Sequence, residues 1–240
     1  MGLLAGAMSS RYYLFFLILL GIASGKSFSK DFVIAVGESQ LQIHPRVESY
    51  LNEVILPIYR KVGLKPKLVI LPMARLRILQ DKGEVDAVGG SIYNPAIEKN
   101  YQPISTPITD EVSVNLYRRP GIRTNDLNVA FVKGESGISL FKQKYGGMKS
   151  KLHEVRNREI LFLMLKLKRV DAIVTGDFAL KSHFTPTEFE SLEVELLQRV
   201  TVSHYVNRKH SEIFIKLEDE IKKLDKKKKF RLFHFIKNEK

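Results

Sequence analysis

The sequence of 240 residues contains no cysteine. This absence excludes disulfides, thiolate metal sites, a cysteine nucleophile and the lipid-carrying cysteine of a bacterial lipoprotein. Acidic residues are few, since 26 Asp and Glu oppose 39 Lys and Arg and leave a formal net charge of +13. With 44% apolar and 27% charged residues, the composition is globular and excludes collagen-like, coiled-coil and wholly disordered chains.

An apolar run near the N-terminus is too short to span a membrane. Arg11 precedes the run, which extends from Leu14 to Ala23 and ends in small residues. A spanning helix needs about 20 apolar residues, roughly twice this length. The pattern predicts a secretory signal peptide over residues 1–25, and therefore a periplasmic protein that is not a lipoprotein. The alternative is a short anchor that is not cleaved.

Basic residues are concentrated at the C-terminus. Residues 222–240 contain nine Lys and Arg against two acidic residues, so this segment carries +7 of the net charge. The lysine run over residues 222–229 contains no aromatic residue on which a base could stack. We therefore expect a solvated helix face and no nucleic-acid partner. Weak attraction to an anionic membrane surface is the alternative.

Two segments of the chain repeat the same alternation of strands and helices. In the first, this order predicts a parallel sheet with right-handed crossovers, and Pro57 should kink or end the first helix. The predicted strands are 32–36, 67–71 and 85–88, and the predicted helices are 47–58 and 73–82. The second segment repeats the pattern with strands 128–132 and 171–174 and helical patterns 136–145 and 160–167.

Two similar α/β units predict two lobes. Segments 111–118 and 194–206 are rich in β-branched residues and are the predicted connections between them. Lobe 1 is expected to comprise residues 29–116 and 202–240, and lobe 2 residues 117–201.

The common catalytic and metal-binding motifs are absent from the sequence. It contains no Gly-x-Gly-x-x-Gly, phosphate loop, Gly-x-Ser-x-Gly or His-Glu-x-x-His motif. No two of the six histidines have the helical spacing that places imidazoles on one metal. We therefore expect no metal, no cofactor and no enzymatic activity. An acid–base pair of Glu38 and Asp177 across a cleft is the alternative that sequence spacing cannot test.

The C-terminal ends of the strands are the predicted binding region. Ligands of open parallel sheets bind beyond these ends, where loops offer free backbone amides. Glycine lets a ligand approach the backbone, and polar side chains orient it by hydrogen bonds. Each of these residues could instead serve only as a turn, a helix cap or a surface charge. The predicted ligand-binding residues are Glu38, Arg75, Gly90, Ser91, Tyr93, Ser136 and Asp177.

Three stretches near these strand ends resemble the extracellular solute-binding proteins of family 3, the amino-acid-binding type. The resemblance extends from Phe32 to the last helix. The stretches are Leu71-Pro72-Met73-Ala74-Arg75 followed by Gly83-Glu84-Val85-Asp86-Ala87, Ile104-Ser105-Thr106-Pro107-Ile108, and Val170-Asp171-Ala172-Ile173-Val174-Thr175-Gly176-Asp177.

This resemblance implies a type II periplasmic-binding fold, an α/β architecture of two lobes that each hold a mostly parallel sheet flanked by helices. It implies a monomer that closes by a hinge motion on a small polar solute, such as an amino acid, and presents it to a membrane transporter or receptor. Asp177 matches the position that holds the solute's ammonium group in the family. The family's arginine for the solute carboxylate is replaced by Ile97, and Arg75 is a neighbouring substitute.

Two alternatives share the same predicted fold. One is an enzyme of dehydratase or lyase type, because a fold alone does not determine function. The other is a sensory or scaffold protein whose solute site is degenerate, which the isoleucine at position 97 favours.

Overall fold

A computed structural model of the protein describes residues 31–92, 95–123 and 126–237. The predicted signal peptide lies outside these residues. The described residues form ten strands: β1 Phe32–Gly37, β2 Pro66–Leu71, β3 Ala87–Ile92, β4 Tyr101–Pro103, β5 Val112–Arg118, β6 Asn128–Val132, β7 Lys151–Val155, β8 Ala172–Gly176, β9 Glu193–Val200 and β10 Val202–Asn207.

The strands form two separate five-stranded sheets. Sheet 1 has the order β2-β1-β3-β10-β4, and sheet 2 has the order β7-β6-β8-β5-β9. In sheet 1 the predicted parallel pairing of β1 with β2 and β3 is present, and β10 pairs antiparallel with β3 and β4. Sheet 2 repeats this plan, with β6 parallel to β7 and β8, and β5 antiparallel to β8 and β9. Each sheet is therefore mixed, with a parallel part extended by two antiparallel strands.

Helices connect the strands and cover the sheets. The α-helices are α1 Glu38–Leu41, α2 Val47–Tyr50, α3 Leu56–Lys61, α4 Met73–Lys82, α5 Pro95–Glu98, α6 Gly137–Tyr145, α7 Arg158–Lys166, α8 Asp177–Lys181, α9 Pro186–Glu190, α10 Ser211–Lys226 and α11 Leu232–Lys237. A π-helical segment, Leu51–Ile55, joins α2 to α3, and a 3₁₀ turn, Arg208–His210, precedes α10.

The helix that contains Pro57 continues past it to Lys61, so this proline does not end the helix. Pro57 stands in the first turn of α3, directly after the π-helical segment. A proline has no N–H, and the first turn of a helix needs none from it. The wider π turn before Pro57 therefore lets the chain run on to Lys61.

Both faces of each sheet are buried, which follows from the alternation of side chains along a strand. In β1, Ile34 and Val36 pack in one apolar cluster and Ala35 packs in another on the opposite face. The C-terminal helices complete the first of these clusters through Leu217 of α10 and Leu232 of α11. In sheet 2, β6 divides its side chains between two clusters in the same way.

The chain passes between the sheets at two places. Strand β5 pairs only within sheet 2, so the first passage lies between β4 and β5. The predicted lobe boundary after residue 116 falls inside β5. The second passage lies between β9 in sheet 2 and β10 in sheet 1. Below, lobe 1 denotes the part built on sheet 1 and lobe 2 the part built on sheet 2.

Candidate functional site

A cavity of about 200 Å³ lies between the two lobes. Lobe 1 lines it with residues of β1, β3, α4 and α11, and lobe 2 with residues that follow β6 and β8. The polar lining therefore comes largely from the strand ends at which ligands bind in open α/β sheets.

Most of the lining is apolar. Side chains of both lobes contribute to this surface, which continues into lobe 1 as far as α11. The apolar lining residues include Val36, Ile43, Val47, Leu51, Met73, Ile108, Val112, Val114, Val174, Ala179, Val200, Val202, Leu232 and Phe233. Such a surface, with a few polar groups fixed in it, is typical of small-molecule sites.

Arg158 joins the two lobes at the cavity. The residue is the first of α7 in lobe 2 and is 7% exposed. Its Nη2 donates to Glu135 Oε1 at 2.7 Å and its Nη1 to Thr175 Oγ1 at 2.7 Å, both in lobe 2. Its Nε donates across the cleft to the Ser39 carbonyl oxygen at 3.0 Å. The guanidinium therefore ties α1 of lobe 1 to two strand ends of lobe 2.

Arg77 reaches in the opposite direction, from α4 of lobe 1 to lobe 2. Its Nη2 lies 3.2 Å from Ser136 Oγ and 3.4 Å from the Gly134 carbonyl oxygen. Its Nη1 is buried and has no hydrogen-bond partner. Burial lowers the pKa of Arg77, because removal from water disfavours the charged form.

The backbones of the lobes are in contact next to Arg77. Gly134 has a φ of +84°, and a Cβ there would lie 2.8 Å from the Ala74 nitrogen and 2.9 Å from the Met73 carbonyl carbon. Only glycine both adopts this φ without strain and leaves room for the first turn of α4. The loop between β6 and α6 is thereby fixed against lobe 1.

Further contacts between the lobes surround the cavity. Gln42 accepts a hydrogen bond from the Arg158 N–H at 3.1 Å, and Ser182 donates to the Ile43 carbonyl oxygen at 3.1 Å. The ring of Phe178 lies 5.6 Å from that of His44 and 4.9 Å from that of Phe233, measured between centroids.

Asp177 is the first residue of α8 and lines the cavity. Its Oδ1 accepts the N–H of Phe178 at 2.9 Å, and its Oδ2 lies 3.7 Å from the Nζ of the exposed Lys181. Both contacts leave acceptor capacity on the carboxylate, because each carboxylate oxygen can accept two hydrogen bonds.

A buried histidine lies behind Gly89, which lines the cavity from β3. The Nδ1 of His204 lies 3.3 Å from the Gly89 carbonyl oxygen, and its Nε2 lies 2.5 Å from the Tyr59 hydroxyl. These contacts assign the proton to Nδ1, with Tyr59 donating to Nε2. Burial lowers the pKa of His204 to about 4, so the imidazole is neutral at neutral pH.

Four of the predicted ligand-binding residues line the cavity together. These are Gly90 and Ser91 from lobe 1 and Ser136 and Asp177 from lobe 2.

Two of the other three predicted residues are not brought to it. Glu38 and Arg75 are exposed, and neither belongs to the described lining. The predicted pairing of Glu38 with Asp177 across the cavity is therefore not formed. Tyr93 lies outside the described residues.

Sequence reasoning missed two arginines of the cavity, Arg77 and Arg158. Arg158 stands at the start of a helix in a basic chain and carries no motif. Its only local signal is the preceding Asn157, which caps α7 by accepting the Ile160 N–H at 3.0 Å. Arg77 lies two residues from Arg75, the arginine of this helix that the sequence analysis predicts.

Ile97, which the resemblance matches to the family's carboxylate-binding arginine, is a core residue. It is 1% exposed and packs in the apolar cluster that contains Met73, Leu76 and Tyr101. It takes no part in the described lining of the cavity.

Across residues 31–92, 95–123 and 126–237, no group of three or more His, Asp or Glu side chains is arranged to hold a metal ion. Within the same ranges, no helix combines the length and apolar character needed to cross a membrane.

No protein-family model matches this sequence, and no curated protein is significantly similar to it. Solved structures do share its fold. The substrate binding protein of an amino acid ABC transporter has a TM-score of 0.62 at 18% identity, covering 82% of this chain and 95% of that one. An ABC uptake transporter substrate binding protein from Streptococcus pneumoniae with bound histidine has a TM-score of 0.68 at 12% identity, covering 83% and 89%.

A third similar structure is an ancestral amino acid-binding protein, described as a precursor of cyclohexadienyl dehydratase. Its TM-score is 0.65 at 14% identity, and the match covers 83% of this chain and 92% of that one. At sequence identities this low, the structural similarity shows that the proteins share a fold. The chain has the two-lobed type II periplasmic-binding fold, as its resemblance to the family 3 solute-binding proteins predicts.

Proposed function

We propose that this protein binds a small polar solute, an amino acid or a related compound, between its two lobes. The observation that carries the proposal is the cavity itself, which both lobes line at their strand ends and which contains charged side chains from each. Two of the structures that share the fold are described as transporter substrate-binding proteins. Binding requires no catalytic group, which agrees with the lack of catalytic motifs in the sequence.

The proposal includes the cellular setting. The protein would be exported by its N-terminal segment, act in the periplasm as a monomer, and present its solute to a membrane transporter or receptor. The hinge would lie at the two passages of the chain between the sheets, since a few residues at the ends of elements absorb such rotations.

A thermal-shift screen tests the proposal. We expect at least one member of a library of amino acids, polyamines and organic acids to raise the melting temperature, because a solute that binds only the folded state stabilises it by mass action. A flat response across the library would instead support a degenerate scaffold.

Asp177 provides the site-specific test. We predict that Asp177→Ala weakens binding of the identified solute at least tenfold by isothermal titration calorimetry, since the carboxylate is the acceptor for an ammonium group. Asp219→Ala, at an exposed position of α10, is the control and should leave the affinity unchanged. An unchanged affinity in the Asp177 variant would remove this residue from the site.

The similarity to an ancestral precursor of a dehydratase favours one alternative, an enzyme on the same scaffold. If the protein is such an enzyme, it should turn over a prephenate-like cyclohexadienyl acid. The Asp177→Asn variant should lose this turnover. Glu38→Gln should not affect such turnover, because Glu38 is exposed and outside the described lining.

A further inference from the structure

The basic run near the C-terminus lies at the turn between α10 and α11. The N–H groups of residues 227–229 donate to carbonyl oxygens of the last turn of α10 at 2.8 to 3.1 Å. The next residue, Phe230, is fully buried, and its carbonyl oxygen accepts a hydrogen bond from the Tyr50 hydroxyl at 2.7 Å. The turn is therefore fixed at both ends, and its lysine side chains extend from an ordered backbone.

The basic residues of this region fall into a paired and an unpaired group. Lys222, Lys223 and Arg231 form ion pairs with carboxylates of α10. Residues 226–229 are all lysines, and all four are exposed. Among the residues that the structure describes, none of these four lysines pairs with an acidic group. Four adjacent positive charges therefore face solvent without compensation.

A groove of about 490 Å³ lies beside this turn. One wall comes from α3 and the π-helical segment before it, and the other comes from α10, α11 and the turn. Lys61 belongs to the first wall, and Lys228 and Lys229 belong to the second. Glu53 adds an acidic group to the first wall. The apolar lining residues are Val54, Pro57, Ile58, Leu224 and Phe235. The uncompensated lysines therefore border an apolar surface.

This combination matches the surface of an anionic phospholipid membrane. Lipid phosphates attract clustered lysines, and each lysine close to the membrane adds to the attraction. Apolar side chains beside a basic cluster can contact the boundary between headgroups and acyl chains. A nucleic acid fits less well, because residues 226–229 include no aromatic side chain for stacking. The ring of Phe235 in the groove is covered on one face by the Arg46 guanidinium, 4.5 Å from its centroid.

We propose that residues 226–229, together with the groove beside them, dock the protein on a membrane of anionic phospholipids. The proposal goes beyond solute binding and does not depend on it. None of these four lysines belongs to the described lining of the cavity between the lobes. Docking and solute binding therefore use different side chains.

Cosedimentation with phospholipid vesicles tests the proposal on the unaltered protein. We expect at least tenfold tighter binding to vesicles containing about 30% phosphatidylglycerol than to vesicles of phosphatidylcholine alone. The affinity for the anionic vesicles should fall at least tenfold between about 50 and 300 mM sodium chloride, because salt shortens the range of the attraction.

Two variants that each lose four positive charges locate the docking surface. The docking variant combines Lys226→Gln, Lys227→Gln, Lys228→Gln and Lys229→Gln. The control combines Lys142→Gln, Lys149→Gln, Lys151→Gln and Lys168→Gln, all at exposed positions of lobe 2. We expect the docking variant to bind anionic vesicles at least tenfold more weakly and the control to stay within about twofold of the unaltered protein, since distant charges are screened. All variants share the same N-terminal segment, so its contribution to binding cancels in the comparison.

A gain of binding tests the groove without relying on a loss. Glu53→Gln removes the acidic group of the groove and should strengthen binding to anionic vesicles about twofold or more, because a carboxylate is repelled by the lipid phosphates. Glu190→Gln, at an exposed position of lobe 2, makes the same change of charge and should leave the affinity unchanged. A misfolded protein would not produce this difference.

Three results would overturn the proposal. Equal binding to the two kinds of vesicle would exclude recognition of anionic lipid. Equal losses in the docking variant and the control would assign the binding to net charge. Tighter binding to a single-stranded oligonucleotide than to anionic vesicles, lost in the docking variant, would make nucleic acid the partner of this surface. Each of these results leaves the proposed solute binding standing, because it is measured with different probes.

Discussion

His204 is a histidine that folds in its neutral form. It is fully buried in β10, and this burial keeps it neutral, while its Nε2 accepts a hydrogen bond from the Tyr59 hydroxyl and its Nδ1 donates one to the Gly89 carbonyl oxygen. Its pKa is about 4 in the folded protein against 6.5 for an ordinary histidine. The unfolded chain therefore takes up this proton first as the pH falls.

The free energy of unfolding should consequently depend on pH through this residue. The contribution of His204 is fully present above about pH 6.5 and is lost as the pH falls towards 4, by on the order of 3 kcal/mol. We predict that His204→Gln has a shallower decline in stability than the unaltered protein between pH 7 and 4, measured by urea unfolding. Because slopes are compared, a lower starting stability of the variant does not affect the result. Parallel slopes would assign the acid sensitivity to other groups.

At the scale of one residue, the sequence alone does not show whether Arg75 or Arg77 faces the cavity. The buried face of α4 is marked by Met73, Leu76 and Gln80. At 100° per residue, Arg75 and Arg77 lie on opposite sides of Leu76, and Arg77 lies on the same side as Met73 and Gln80. The side that faces the cavity is decided by where lobe 2 docks, which is a tertiary fact. The predicted Arg75 therefore lies on the helix that lines the cavity, but it is exposed outside the described lining.

The loop between β6 and α6 determines, at the scale of elements, how closely the lobes approach. Gly134 touches the backbone of the first turn of α4, and any side chain would enter that contact. A displaced loop would also move Ser136, which bonds Arg77. The loop therefore links the approach of the lobes to the geometry of the cavity.

We predict that Gly134→Ala weakens solute binding at least tenfold, because its Cβ keeps the loop away from α4. Gly63→Ala is a matched control, since Gly63 has a φ of +85° and nothing within 4 Å of an added Cβ. Both variants should lose about 1 to 2 kcal/mol of unfolding free energy from the left-handed backbone. Chemical denaturation and calorimetry measure the two effects, and equal solute affinities in the two variants would contradict this role for the loop.

Most of the elements could be predicted because their signals are local. Strands β1, β2, β6 and β8 follow short apolar runs, and α4 ends at Gly83 in the left-handed conformation expected there. Segment 194–206 was predicted as one stretch and is two strands, β9 and β10, in different sheets. Its composition is uniform, and only pairing partners distant in the chain distinguish its halves.

At the scale of the whole molecule, the closed arrangement of the lobes depends on side chains of the protein itself. Arg158 is bonded to both lobes, and the hydrogen bonds of Gln42 and Ser182 lie beside it. Such contacts are made only when the lobes meet, so they add to the stability of the closed state before any solute is bound. A solute then has to supply less of the free energy of closure.

The bond from Arg158 to Ser39 can be tested separately from the ion pair with Glu135. Arg158→Lys keeps the positive charge beside Glu135 and loses the planar fork that reaches Ser39. Since a hydrogen bond from a charged donor contributes about 1.5 to 3 kcal/mol, we predict solute affinity at least tenfold lower. Small-angle scattering should then require correspondingly more solute to reduce the radius of gyration. Arg156→Lys, at an exposed position two residues earlier, should match the unaltered protein in both measurements. If Arg158→Lys also matches it, closure is determined by the solute alone, and the cross-lobe arginine only organises the strand ends of lobe 2.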